Sequence, residues 1–172
     1  MIRLVLKYGD VWEMNGIRLK KRELKHVIKF WEESKDSELQ RLFPFQNNTL
    51  EETIKLYEDS LLENAKSYGK TIYVDDCYVG DIWCYSIDET YEKNCFVSIV
   101  IFDKNYWNKG IASIALREFN KIIANKYEIN RICAFTYKFN IASRNLLEKN
   151  NFKYVEEFKE DNIESLYYEL KI

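Results

Sequence analysis

Proline occurs once in this chain and glycine five times, at Gly9, Gly16, Gly69, Gly80 and Gly110. No Pro-rich or Gly-rich linker therefore divides it, and neither a low-complexity tract nor an internal repeat is visible. At 172 residues the expected organisation is one domain over 1–172, with an extra hairpin over 1–14 turning at Gly9-Asp10. An excess of either charge is also missing. The chain has 26 Lys and Arg against 28 Asp and Glu, a net charge of −2, so nothing points to a nucleic-acid partner. No apolar run approaches membrane-spanning length, and residues 1–7 are too short and too charged for a secretory signal. A cytoplasmic protein with no membrane partner is the expectation. Cys77, Cys84, Cys95 and Cys133 lack the paired short spacing of a zinc site or a disulfide framework and read as reduced core thiols. No metal site is expected.

Histidine is as scarce as proline, with His26 alone. A helix is predicted over 22–33 with Leu24, Val27, Ile28 and Trp31 on its apolar face. His26 falls off that face, so a surface residue is expected there.

Much of what is present is apolar (47%) and aromatic (16%), enough for a large core or for a homodimer interface. A strand is predicted near 17–19, a short helical turn over 37–43, and a capping box at Thr49-Leu50-Glu51-Glu52 opening a long helix through Leu56, Leu61 and Leu62 towards Tyr68. Gly69-Lys70-Thr71 resembles the end of a phosphate-binding loop, but Asn64 stands where that loop needs glycine and the tripeptide follows a helix. That reading is rejected. Strands at 71–74 and 78–87 are expected to pair across Asp75-Asp76, and 88–92 reads as a polar loop. A buried strand over 95–102, a helix from Ile111, a strand over 131–136, a helix over 140–149 and two closing strands over 152–157 and 164–171 complete a mixed α/β layered domain.

Two stretches carry the chemistry. The near-continuous apolar strand at 95–102 runs into Trp107-Asn108-Lys109-Gly110-Ile111-Ala112, and a helix with Ile111, Ala115, Phe119 and Ile122 on one face runs out. The first turn of a helix has N–H groups without partners and the positive end of the macrodipole, which together suit phosphate oxygens. Gly110 lets the backbone approach a ligand with no Cβ in the way. In the second stretch, Asn140 is a natural N-cap, and Asn151 can adopt the left-handed conformation that stops a helix ahead of Phe152.

At their mutual separation these two stretches resemble the GNAT superfamily of N-acetyltransferases. In that family the cofactor loop reads Gln/Arg-x-x-Gly-x-Gly/Ala, and the following helix opens with Asn and closes on Gly-Phe. Tyr106-Trp107 before Lys109-Gly110 is similar to the branch that acetylates ribosomal-protein N-termini and to its polyamine-acetylating relatives. The resemblance spans about 17–152, with its specific motifs between Val97 and Phe152. It implies a mixed, mostly antiparallel sheet with helices on both faces and a parallel strand pair splayed around acetyl-CoA. It places Val100, Ile101 and Phe102 beside the pantetheine arm, and Trp107, Asn108, Lys109, Gly110, Ile111, Ala112 and Ser113 around the pyrophosphate. Asn140 falls at the cofactor-contacting asparagine, with Ser143 and Asn145 on the same helix.

The chain departs from the family pattern at three positions. Asn108 and Asn151 replace glycines, both being residues that tolerate a left-handed backbone. Leu147 occupies the position of the tyrosine that protonates the departing thiolate, which leaves Tyr137, with Asn140, as the catalytic candidates. Val97 falls where relatives carry a carboxylate, and Asp81, Asp88 and Glu89 are the acids expected nearest the site edge. An α-amine with a pKa of ~7.7–8.0 is already partly neutral, unlike a lysine at ~10.4, so the lack of a base favours an α-amine acceptor. The resemblance thus implies transfer of acetyl from acetyl-CoA to a primary amine by direct attack. The alternatives are a polyamine or other small cationic acceptor drawn by Asp88, Glu89, Glu92 and the pairs Glu156-Glu157 and Glu160-Asp161, or a non-catalytic acyl-CoA-binding module.

Overall fold

Eight strands form one sheet in a computed structural model that describes residues 12–172. The hairpin expected at Gly9-Asp10 lies outside the described residues. In chain order the elements are β1 (Trp12–Met14), β2 (Ile17–Lys21), α1 (Leu24–Glu33), α2 (Ser37–Leu42), α3 (Leu50–Asp59), β3 (Tyr68–Val74), β4 (Cys77–Asp88) and β5 (Asn94–Ile101). A 3-10 turn (Lys104–Tyr106) follows, then α4 (Ile111–Lys126), β6 (Arg131–Tyr137), α5 (Ile141–Lys149), β7 (Lys153–Glu160) and β8 (Ile163–Lys171). The sheet order is β1-β2-β3-β4-β5-β6-β8-β7. Every neighbouring pair is antiparallel except β5 and β6, which run parallel. Gly69, Lys70 and Thr71 sit in β3, a strand and not a phosphate loop.

The two faces of the sheet bury different sets of side chains, as the period of two requires. On one face Leu19, Ile72, Ile82, Cys84, Cys95 and Ile132 pack under α4 and α5 with Leu116, Phe119, Ile123 and Phe152. Each such fully buried side chain contributes roughly 1.5–3 kcal/mol, which is what seats α4 on the sheet. Its inward face is Ile111, Ala115, Leu116, Phe119 and Ile123, so Ile123 takes the place expected of Ile122, which is only half-buried. On the other face Phe30, Leu39, Val100 and Phe102 form a smaller cluster with Phe43, Phe45 and Trp83. The cysteines are free thiols, Cys84, Cys95 and Cys133 buried and Cys77 exposed.

Two helical expectations need correction. The face that α1 buries is His26, Val27 and Phe30, while Leu24 is exposed. His26 is 3% exposed, not a surface residue. Its Nδ1 accepts the Glu23 N–H at 3.0 Å and its Nε2 lies 2.8 Å from the Tyr73 hydroxyl, with Tyr73 and Tyr78 edge-on to the ring. Two aromatic partners and two hydrogen bonds outweigh the apolar pattern of four spaced residues. The second correction concerns α3. The Thr49 capping box forms as expected, with Glu52 N–H to Thr49 Oγ1 at 3.2 Å and Thr49 N–H to Glu52 Oε2 at 2.7 Å. The helix nevertheless stops at Asp59, capped by Ser60, and leaves Leu56, Leu61 and Leu62 exposed.

Candidate active site

The feature that makes a site is the incomplete pairing of β5 with β6. The parallel register runs only through Asn94–Arg131, Cys95–Ile132 and Phe96–Cys133. Beyond it β5 continues to Ile101 alongside β4, and β6 continues to Tyr137 alongside β8, with no pairing between them. Alternate backbone N–H and C=O groups of residues 97–101 and 134–137 therefore face a gap without strand partners. A cavity of about 1510 Å³ opens there, and its lining includes Val97, Ser98, Val100, Ala134 and Tyr137.

The turn at the open end of β5 is held in place from both sides. Trp107 Nε1 donates to the Ile101 carbonyl at 2.7 Å, and Lys104 in the 3-10 turn is ion-paired with Asp36 at 2.9 Å and Glu38 at 3.0 Å, next to or on α2. Asn108 (φ 58) and Gly110 (φ 76) are both left-handed, the conformation expected of Asn108 when it stands for glycine. Gly110 is the N-cap of α4 and offers no side-chain cap to the first turn, and a Cβ built there would meet nothing within 4 Å. The helix thus begins with free N–H groups beneath open space, the arrangement an anion needs. At the far end of α5, Asn151 (φ 67) is left-handed as well, and Asn150 Nδ2 donates to Ser113 Oγ at 3.0 Å, tying α5 to the start of α4.

Of the residues expected around a cofactor, Val100, Ile101, Trp107, Asn108, Lys109, Gly110, Ile111, Ala112, Ser113, Asn140, Ser143 and Asn145 all line this cavity. Phe102 does not. Its N–H is committed to the Val79 carbonyl at 3.0 Å and its side chain packs with Phe30 and Tyr78, because the chain has by then turned over β4. Asn140 Oδ1 accepts the Ser143 N–H at 3.1 Å while Nδ2 donates to the Leu42 carbonyl at 3.0 Å. Through these two bonds Asn140 bridges α5 to the end of α2. Tyr137 is half-buried on the cavity wall and stacks on Phe139; burial, then the charge of Glu160, hold its phenol above the usual range. Leu147 is buried and lines the same cavity with no proton to give.

The acids fall differently from expectation. Asp81 lies off the cavity, 1% exposed, ion-paired with Arg22 at 2.8 Å and accepting the Tyr78 hydroxyl at 2.7 Å. Burial pushes its carboxyl up to about 6 against the pull of Arg22. Asp88 accepts backbone N–H groups of Thr90, Tyr91 and Glu92, Glu89 accepts that of Glu128, and Glu92 pairs with Arg131. These three serve the 88–93 loop and do not line the cavity. Glu156, Glu160 and Asp161 do, from β7 and the β7–β8 turn. Arg22 and Lys21 also line it, from the opposite half of the sheet. Sequence spacing gave no signal for Arg22. Among the described residues no group of three or more His, Cys, Asp or Glu side chains could hold a metal ion.

Residues 17–153 match the family model of the acetyltransferase (GNAT) domain. Among solved structures, apo RimL, the ribosomal L7/L12 alpha-N-protein acetyltransferase, superposes with a TM-score of 0.80 at 17% identity, covering 98% of this chain and 99% of its own. RimL in complex with coenzyme A gives 0.80 at 18% identity over 92% and 96%. An aminoglycoside acetyltransferase, AAC(6')-Ib, in complex with coenzyme A gives 0.75 at 13% identity over 90% and 94%. No curated protein sequence matches the chain. No helix among the described residues is long and apolar enough to cross a membrane.

Proposed function

The chain belongs to the GNAT acetyltransferase family, and we propose that it passes the acetyl group of acetyl-CoA to an α-amine, with residues 1–172 acting as one cytoplasmic transferase unit. The observation that carries this is the coincidence of the β5–β6 gap with the uncapped, left-handed start of α4, on one continuous cavity. When bound, acetyl-CoA supplies a thioester whose carbonyl carbon a neutral amine attacks, the N–C bond forming as the C–S bond breaks. The free N–H groups at 111–113 hold the pyrophosphate, and the backbone of 97–101 flanks the pantetheine arm and donates to the thioester oxygen. Proximity supplies much of the rest. Tyr137 Oη holds the proton that the departing thiolate needs, in the absence of a donor at Leu147. Of the described strand β5, no residue is a carboxylate. An acceptor that is partly neutral at the outset, an α-amine of pKa ~7.7–8.0, suits such a site better than a lysine. RimL, similar to this chain in fold, is an alpha-N-protein acetyltransferase.

A polyamine acceptor is the second reading, supported by Glu156, Glu160 and Asp161 on the cavity wall. Calorimetric titration with acetyl-CoA, followed by thioester consumption over a panel of N-terminal peptides, lysine peptides and polyamines, tests both. Faster turnover of α-amines supports the first reading. Preference for polyamines supports the second, and binding without turnover of any amine leaves an acyl-CoA-binding module.

A further inference from the structure

We propose that Arg22, with Lys21 beside it, binds an anionic group carried by the amine acceptor itself, so that the acceptor bears a carboxylate or a phosphate and is not a polycation. This rests on the acetyl-transfer reading above and names the substrate class of the same site. Arg22 stands at the junction of β2 and α1 and reaches into the cavity wall. One Nη of its guanidinium is ion-paired with Asp81 at 2.8 Å, and its Cζ lies over the Phe30 ring, 5.6 Å from the centroid. Asp81 is itself locked by the Tyr78 hydroxyl at 2.7 Å. The fork is thus held rigid while Nε is buried with no partner. A guanidinium presents five N–H donors in a fixed plane, matched to the paired oxygens of carboxylate or phosphate. Lys21 also lines the cavity, is exposed, and makes no ion pair among the described residues.

The placement fits an acceptor and not the cofactor's phosphates. Asp81, which anchors Arg22, pairs in register with Val100 on β5, and Arg22 lies with Phe30 on the face of the sheet opposite to the one that α4 covers. The pyrophosphate turn at 107–113 lies beyond the end of that strand. The charges on the cavity wall are unevenly spread. Arg22, Lys21 and Lys70 stand on the β2–β3 side of the gap and Glu156, Glu160 and Asp161 on the β7–β8 side, with Lys109 in the turn before α4 and Lys149 at the end of α5. An acceptor with an ammonium at one end and an anion at the other lies across the gap in one orientation. A polycation would meet Arg22 and Lys21 with like charge.

The test measures kcat/KM for matched amines: an N-terminal Ser-Glu peptide against Ser-Gln, phosphoethanolamine against ethanolamine, and spermidine. In the unaltered protein the anionic member of one pair is expected to be favoured about tenfold or more, through KM, and the pair that shows it identifies carboxylate or phosphate. Spermidine should be poorest. In Arg22→Gln/Asp81→Asn, which removes both charges together, the ratio should fall to near unity. Lys21→Gln, which leaves the Arg22–Asp81 pair intact, should lower it part of the way and decides the matter if the double variant does not melt cooperatively. Equal rates for both members of each pair, preference for spermidine, or a ratio unchanged in both variants would overturn the inference. Turnover without anion preference overturns it alone, whereas acetyl-CoA binding with no turnover of any amine overturns the acetyl-transfer reading and this inference together.

Discussion

His26 and Asp81 are two buried ionisable side chains whose environments oppose their charged forms. Burial holds the imidazole below its usual pKa, so the folded protein keeps it neutral, with Nδ1 accepting and Nε2 donating. The unfolded chain takes up a proton near pH ~6.5, so this contribution to stability is complete above that pH and is lost as pH falls towards the folded value. Asp81 acts in the opposite sense. Its folded pKa of about 6 means that stability is lost as pH rises from ~4 to 6. Wild type alone would blur the two, but a variant separates them. The stability gap between wild type and His26→Gln should narrow by at most ~1.4 kcal/mol per pH unit from pH 7 to 5, read by urea unfolding. A constant gap would show that the ring carries no proton-linked stability. At the cavity, Tyr137→Phe removes one hydroxyl and should lower kcat by roughly 10²-fold while acetyl-CoA still binds by calorimetry. An unaltered kcat would assign the proton to water.

At the scale of elements, the turn between β5 and α4 was the most legible part of the chain. Asn108, Gly110 and the apolar spacing of the following helix are local signals, and the left-handed φ values agree with them. Gly110→Val puts a β-branched residue at φ 76, a strain of about 1–3 kcal/mol, yet its Cβ would meet no protein atom within 4 Å. The variant should therefore melt a few degrees lower but fold, while acetyl-CoA affinity falls at least tenfold because the side chain occupies the approach to the α4 N–H groups. Equal affinity would remove Gly110 from the phosphate site. The helices on the other face were less legible. The capping box at Thr49 is a local signal and was right, but nothing local marked the stop at Asp59 or the rotation of α1 that buries His26. The burial of His26 depends on Tyr73 and Tyr78, some fifty residues further on.

Over the whole molecule, the gap in the sheet joins the two halves of the cavity, one walled by α1–α3 and the other by α5 and the β7–β8 hairpin. A ligand that binds across it stabilises only the folded chain. Acetyl-CoA at 100 times its Kd should add ~2.7 kcal/mol and raise Tm, whereas adenine alone should not at the same concentration. No shift would argue against a preformed site. The element order, the buried strand at 94–101, the left-handed turn before α4 and the N-cap at Asn140 were all within reach of the sequence. Capping, left-handed turns and hydrophobic period act over a few residues, and each leaves its mark locally. The commitment of Asn140 to Leu42, the displacement of Phe102 and the Arg22–Asp81 pair were not within reach. Each joins segments distant in the chain, and whether a charge faces water, a partner or a cavity depends on which strands stand side by side and where two of them part.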